Sequence, residues 1–275
     1  MVQVDVRSEL SIRVLDWGGN GPPVVLLHPN GFCAGLYEPI AERIRPIARP
    51  IAIDLRGHGG SSAPSGSAAY RFEAFARDIL DVLDHLGLHD VAGVGGSLGG
   101  AAAILVDRLD PGRWRRLLLA EPVAFPASAI SEGDNPMSAA ARRRRPRFDS
   151  RPAAVAAYRH KEPLAQLAPE ALDAYVRWGT VADGTGVRLS CRPEIEAIVF
   201  DVSATPAGAA DAWDHLPRLS CPTTIVSGQD SFLPDVFAVQ AELAGANLVT
   251  VPGGHFVLHE DTARGAELIS RYALF

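Results

Sequence analysis

Cysteine is scarce in this chain. Cys33, Cys191 and Cys221 are too few and too far apart in 275 residues to form a disulfide framework, and no pair has the spacing of a metal-ligand motif. Cys33 follows a glycine-containing loop with no base beside it in sequence, so it reads as a small apolar residue. Positive charge is in deficit too. A formal net charge of −6 gives no support for nucleic-acid binding. The one basic run, Arg142 to Arg145 with Arg147, is expected to be a solvated helix end or loop, because an anionic-ligand patch needs more clustering than one run supplies. No apolar run approaches the roughly 20 residues that span a bilayer. The N-terminal MVQVDVRSELSIRVLDW carries charges throughout and has no apolar signal core. The expectation is a cytoplasmic protein with neither membrane nor nucleic acid as partner. There are no internal repeats and no low-complexity linker.

Apolar residues make up 47% of the chain, enough for one large core or one core plus an inserted subdomain. Residues 2 to 6 and 11 to 17 alternate apolar and polar, as an antiparallel hairpin at a sheet edge does. Short continuous apolar runs follow at Val24 to Leu27, Ile51 to Ile53, Val91 to Val94, Leu117 to Ala120, Thr224 to Val226 and Leu248 to Val251. Such runs mark strands buried on both faces of a parallel sheet. Helical patterns separate several of them. In FARDILDVLDHLGL, residues Phe75, Ile79, Val82, Leu83 and Leu86 share one helical face, and Gly87 supplies the stop. A last helix is expected from about Glu260 to Tyr272. Strand and helix in alternation predict a doubly wound α/β sheet, mostly parallel. The alternation breaks between residues 123 and 211, a stretch rich in Ala, Arg and Pro with helical patches such as PEALDAYVRW and no clear buried strand. It is too long for a loop. It is expected to be a helical lid over the carboxyl edge of a core made of residues 1–122 and 212–275.

Chemistry concentrates in VAGVGGSLGGAAAILVDRL. An apolar run ends in Gly95-Gly96-Ser97-Leu98-Gly99 and an Ala-rich helical run begins at once. This is G-x-S-x-G in a strand–turn–helix context, the arrangement of a nucleophile elbow. A turn that tight pushes its central residue into a strained conformation and tolerates only glycine beside it. The serine hydroxyl is left above the sheet, and the Leu98 amide sits at a helix N-terminus, able to stabilise an anion.

A serine at neutral pH needs a base, a group to orient that base, and donors for an oxyanion. His255, in NLVTVPGGHFVLHED, follows an apolar strand and two glycines, on the loop before the last helix. That puts it at the same sheet edge as Ser97. His259 is expected to be a helix cap or surface residue, and the two histidines with Glu260 do not form H-E-x-x-H, so no metal is expected. Asp230, just past the strand in CPTTIVSGQDSFLP, is the leading candidate for the orienting acid. Glu121, directly after Ala120, and Asp235 are its rivals. The second oxyanion amide is expected from Asn30 in the loop His28-Pro29-Asn30-Gly31-Phe32, because Pro29 has no N–H to give. His28 is expected to brace that loop.

These segments together resemble the α/β-hydrolase family, over essentially the whole chain. LLHPNGF resembles its oxyanion loop, DLRGHGGSS its D-x-R-G-x-G-x-S turn, GGSLGG its elbow and PGGHF its histidine loop. The order serine, acid, histidine also matches. Two departures stand out. Pro29 occupies a place where the family usually has glycine, and Asp230 lies two residues after Gly228 rather than three, with Ser231 in the third place. The resemblance implies a structural role for Asp54, Arg56 and His58.

The resemblance and the residues together imply a serine hydrolase with a helical cap, acting on a small, largely apolar ester or lactone through an acyl-enzyme and needing no cofactor. A C–C bond hydrolase of a vinylogous diketone and a non-catalytic ligand-binding member of the fold are the alternatives, and a homodimer stays open. Ser97 at the elbow speaks against an epoxide hydrolase or dehalogenase, which in this family place aspartate there. Phe125, Phe148, Tyr158, Tyr175, Trp178 and Phe200 of the insertion, with Trp213 just past its end, are the aromatic candidates. Of these Phe125, Tyr158 and Trp178, together with Phe32 and Phe256 outside it, are the candidate substrate contacts.

Overall fold

The computed structural model describes residues 1–6, 10–129 and 135–274. The strands in chain order are β1 (Val2–Asp5), β2 (Ser11–Asp16), β3 (Pro23–Leu27), β4 (Arg49–Ile53), β5 (Val91–Gly96), β6 (Trp114–Ala120), β7 (Arg147–Phe148), β8 (Thr180–Asp183), β9 (Gly186–Leu189), β10 (Thr223–Gly228) and β11 (Asn247–Val251). The α-helices are α1 (Glu38–Ile44), α2 (Phe72–His85), α3 (Leu98–Leu109), α4 (Pro136–Arg142), α5 (Arg151–Tyr158), α6 (Pro169–Trp178), α7 (Pro193–Ser203), α8 (Asp211–His215), α9 (Pro234–Ala244), α10 (Val257–Glu260) and α11 (Thr262–Ile269).

Eight strands form the main sheet in the order β1-β2-β4-β3-β5-β6-β10-β11. The predicted edge hairpin β1–β2 is antiparallel, β2 meets β4 antiparallel, and every later pairing is parallel. The period-two alternation of the central strands divides their side chains between two layers. Val25, Leu27, Ile51, Ile53, Leu117, Leu119 and Ile225 pack with α2 and α3 on one face. Val24, Leu26, Ala52, Leu118, Ala120 and Val226 pack with α1 and α11 on the other. Each strand is therefore apolar throughout, the signature by which it was legible. Helix α2 buries Phe75, Ile79, Val82 and Leu83, as its pattern predicts.

The chain runs from β3 outward to β4, then returns to β5 on the other side of β3. The strand order therefore reverses between β3 and β5, and in such sheets the space beyond the carboxyl ends at that point is the usual ligand position. Register brings those ends level. Leu27 pairs with Gly95, Gly96 with Ala120, Ala120 with Val226, and Gly228 with Val251. Loops leaving five different strands thus start from one rim.

The segment between β6 and β10 carries α4 to α8, and its residues 130–134 lie outside the described ones. It also contains a small antiparallel sheet, β7-β9-β8, which departs from the all-helical expectation. Thr180–Asp183 and Gly186–Leu189 are joined by Gly184 and Thr185, with Gly184 at φ +60°. Asp-Gly flanked by strand-forming residues is a hairpin signal, and the Ala-, Arg- and Pro-rich surroundings obscured it. Among the described residues, no helix is long and apolar enough to cross a membrane.

Three histidines are sealed into this framework. His28 Nδ1 donates to Pro29 O (2.8 Å) while its Nε2 accepts from Leu55 N–H (3.0 Å), which ties the loop after β3 to the loop after β4. His58 accepts from Gly31 N–H (3.0 Å) and donates from Nδ1 to Arg56 O (2.9 Å). His259 is fully buried edge-on to Tyr37, not a cap or surface residue as its place near a helix start implied. The apolar packing of α10 turns it inward. Burial pushes His28 down to about 4, and His58 and His259 down to about 3.

These imidazoles stay neutral in the fold, whereas in the unfolded chain they take up protons below about pH 6.5. Their folded pKa is depressed, so the stability tied to them is intact above pH 6.5 and drains away as the pH falls towards 4. Each contributes a slope of about 1.4 kcal/mol per pH unit once its unfolded form is charged. Urea unfolding between pH 7.5 and 5 should show stability falling steeply below pH 6.5. A flat profile across that interval would contradict the buried, neutral assignment.

Candidate active site

Strand β5 ends at Gly96 and α3 begins at Leu98, so Ser97 alone turns the chain, at φ +51° and ψ −114°. A non-glycine residue in that half of the map carries strain that persists only where its surroundings over-determine it. Here they do. Ser97 N–H donates to Ala120 O (3.0 Å), and Ser97 O accepts from Ala101 N–H and Val123 N–H (3.1 Å each). The flanking glycines are steric necessities. A Cβ on Gly95 would stand 2.5 Å from Gly99 O, and one on Gly99 would stand 2.2 Å from Leu27 O.

The hydroxyl of Ser97 lies 3.1 Å from His255 Nε2. His255 comes from the loop between β11 and α10, and Glu260 fixes that loop by accepting from Gly254 N–H (2.7 Å) and Phe256 N–H (3.0 Å). On its other side His255 Nδ1 is 2.8 Å from Glu121 Oε2. Glu121 is fully buried. Its Oε1 accepts from Gly228 N–H (2.8 Å) and its Oε2 from Ser231 Oγ–H (3.0 Å). A carboxylate held this way favours the imidazole tautomer with the proton on Nδ1, which leaves Nε2 free to accept from the serine.

The place expected for Asp230 is therefore held by Glu121, and the first assignment is corrected. Asp230 is exposed, and its backbone N–H extends the β11 edge by donating to Gly253 O (2.9 Å). Past Gly228 the chain needs three residues to come back over the rim, and the third is Ser231. Asp230, one residue short, faces outward. Glu121 reaches the same spot from the neighbouring strand because its backbone takes φ +46° at the end of β6. Asp235 is exposed on α9.

The Leu98 amide occupies the first position of α3, where the helix offers no acceptor. The Asn30 N–H makes no hydrogen bond among the described residues. Both expected oxyanion amides thus remain available at the ends of β5 and β3. The turn after β4 has the structural role expected of it. Asp54 accepts from Ala34 N–H (2.6 Å) and Gly60 N–H (2.8 Å), and Arg56 forms a buried two-bonded pair with Asp78. Cys33 is fully buried, and burial pushes its thiol far above its ordinary range.

Of the candidate contacts, Phe32 and Phe256 stand at the site. Their rings are 5.0 Å apart, and Phe256 is 5.1 Å from the His255 ring. Phe232, which the sequence reading passed over, is 61% exposed and packs 5.3 Å from His255. Its signal was adjacency to Ser231. Trp178 instead packs on Gly35 and under Arg13, and Phe125 is joined to Ala209 through its backbone. Among the described residues, neither side chain makes a hydrogen bond or ring contact with Ser97 or His255. Tyr158 faces Arg144. Arg144 departs from the solvated reading of its basic run. Burial opposes its charge, but Tyr175 and Glu196 facing it hold the guanidinium well above its ordinary value.

Comparison with known proteins agrees with this architecture. A family model described as the alpha/beta hydrolase family matches residues 24–268. Haloalkane dehalogenase 2 of Mycobacterium bovis is 36% identical over 115 residues, which takes in 41% of this chain and 39% of that protein. The match thus spans about two fifths of that relative's length. Among solved structures, E-2-(acetamidomethylene)succinate hydrolase superposes with a TM-score of 0.81 at 21% identity, covering 98% of this chain and 97% of that one. A thermophilic esterase from Thermogutta terrifontis gives a TM-score of 0.73 at 26% identity, over 98% of this chain and 97% of its own.

The hydrogen bond at His255 Nδ1 can be tested directly. Proton NMR should show a far-downfield imidazole N–H resonance that survives Asp230→Asn and disappears in Glu121→Gln. Loss in the aspartate variant alone would return the acid to residue 230.

Proposed function

This chain belongs to the alpha/beta hydrolase family, and on that footing we propose that it is a serine hydrolase cleaving an ester or lactone bond of a small, largely apolar substrate. The observation that carries the proposal is the unbroken chain from Ser97 Oγ through His255 to Glu121, at 3.1 and 2.8 Å. Ser97 attacks the carbonyl carbon as His255 Nε2 takes its proton. Glu121 stabilises the imidazolium that results. The oxyanion is received by the amides of Asn30 and Leu98, each supplying about 10²–10³ in rate. The imidazolium then protonates the leaving oxygen, and a water activated by His255 releases the acyl group.

Residues 123–211 act in this reading as a cap on a core of residues 1–122 and 212–275. Several contacts support that role. Ala168 N–H donates to His259 O (2.9 Å), Tyr175 Oη–H to Gly31 O (3.2 Å), and Asn30 Nδ2–H to Glu196 O (3.0 Å). The segment thus touches both α10, directly after the histidine loop, and the oxyanion loop. Phe32, Phe256 and Phe232 give the rim an apolar character suited to an uncharged acyl or alcohol group.

Dehalogenation, the activity in the name of the M. bovis relative, fits the chemistry of this elbow poorly. Displacement of halide by a serine oxygen would leave an ether, which water activated by histidine does not cleave. A carboxylate nucleophile leaves an ester, which it does. A pure ligand-binding role leaves the serine–histidine–glutamate alignment without a purpose. The T. terrifontis neighbour, named an esterase, lends the ester reading support over its whole length.

A panel of p-nitrophenyl esters and lactones, with a fluorophosphonate probe, tests the proposal. Wild type should hydrolyse a member of the panel and carry one adduct on Ser97. Ser97→Ala should lose about 10⁶ in kcat, and Glu121→Gln about 10⁴. Near-full activity in Ser97→Ala, or no adduct on the wild-type serine, would overturn it.

A further inference from the structure

The loop that presents the Asn30 amide is held from two sides. On the core side, Pro29 O accepts from His28 Nδ1–H (2.8 Å) and Gly31 N–H donates to His58 Nε2 (3.0 Å). On the other side, two hydrogen bonds come from the segment between β6 and β10. Asn30 Nδ2–H donates to Glu196 O on α7 (3.0 Å), and Gly31 O accepts from Tyr175 Oη–H on α6 (3.2 Å). The Cα of Gly31 faces an ion pair. A Cβ there would lie 2.7 Å from Glu196 Oε1 and 3.1 Å from Arg144 Nη1.

One guanidinium organises this second side. Arg144 Nη1 pairs with the Glu196 carboxylate, while its Nη2 donates to Tyr175 Oη (2.8 Å) and Tyr158 Oη (3.3 Å). Those partners sit on α7, α6 and α5, so the fork of Arg144 joins three helices directly above Asn30 and Gly31. A planar guanidinium can hold several acceptors in one fixed geometry, which a point-charge ammonium cannot. Among the described residues, Arg144, Glu196 and Tyr175 make no hydrogen bond or ring contact with Ser97 or His255.

We propose that Arg144 is a positioning residue for the oxyanion amide: through Tyr175 and Glu196 it fixes the Asn30–Gly31 turn, so that the donor is aimed only while the cap helices are docked. The inference rests on the serine-hydrolase reading above. The cap then helps assemble the catalytic machinery as well as covering it. Loosening the turn costs stabilisation of the tetrahedral intermediate, where the amide is needed most, and leaves ground-state binding nearly intact.

The test uses the full chain, with a p-nitrophenyl ester that wild type hydrolyses and with functional sites counted by fluorophosphonate titration. Tyr175→Phe removes one hydroxyl and leaves Arg144 paired with Glu196. It should lower kcat per titrated site about 3- to 10-fold, as loss of a single hydrogen bond does, with KM within about twofold of wild type. Arg144→Met should lose more than about 10-fold, and Arg144→Lys should fall between it and wild type. Affinity for a trifluoromethyl ketone, whose hemiketal oxygen needs the same amide, should drop in proportion to kcat. A merely structural role would lower Tm and the titratable fraction and leave kcat per titrated site unchanged. That result in Tyr175→Phe and Arg144→Met overturns the proposal, as does a raised KM at constant kcat. If Arg144→Met does not fold, Tyr175→Phe decides alone. A wild-type chain without a Ser97 adduct strikes the underlying reading instead, and the titration shows that separately.

Discussion

The site depends on one constraint: five parallel pairings keep the carboxyl ends of the central strands level, so that loops from distant parts of the sequence begin at a common rim. Backbone strain at Ser97 is the local expression of that constraint. The elbow holds because Ala120 O, Val123 N–H and Ala101 N–H bind its backbone from β6, the loop after β6 and α3. The loop after β6 that grips the elbow also begins with Glu121. Ser97 and Glu121 are thus fixed by the same junction of β5 and β6. A disturbance of that junction would misplace both at once.

Several of the buried polar groups stand around the rim. Glu121 has an acceptor contact for each oxygen, His28 and His58 tie loops to loops, and Glu260 closes the histidine loop. Such networks are costly when incomplete and rigid when satisfied. Their placement stiffens the loops that carry His255 and Asn30, while the apolar layers on the two faces of the sheet supply the bulk of the stability. Preorganisation of this kind is what electrostatic stabilisation of an oxyanion requires.

Much of this was legible in the sequence because the responsible signals are local. The elbow announces itself through Gly95 and Gly99, where any Cβ would strike a carbonyl or its neighbour, and the buried strands through uninterrupted apolar runs. The acid was not legible in the same way. Whether residue 230 or residue 231 returns over the rim depends on how the chain leaves β10, and the φ of +46° that swings Glu121 inward leaves no mark in the sequence. Ser231 in the acid's usual place was the available hint, and it turned out to hydrogen-bond the relocated carboxylate. Arg144 was misread for a related reason. Its partner Glu196 lies 52 residues away, and only the docking of α7 makes the pair. The burial of His259 was also hidden, since a histidine near a helix start carries no sign of the aromatic face it will meet.

The central claim, that loops from separate strands converge on one reacting centre, is tested most directly by a crystal structure of the chain after reaction with a phosphonate ester. The account predicts phosphorus bonded to Ser97 Oγ, a phosphonyl oxygen about 2.7–3.1 Å from both the Asn30 and Leu98 amides, and His255 lying between the adduct and Glu121. A phosphonyl oxygen turned away from those amides, or a covalent bond at any other residue, would contradict it.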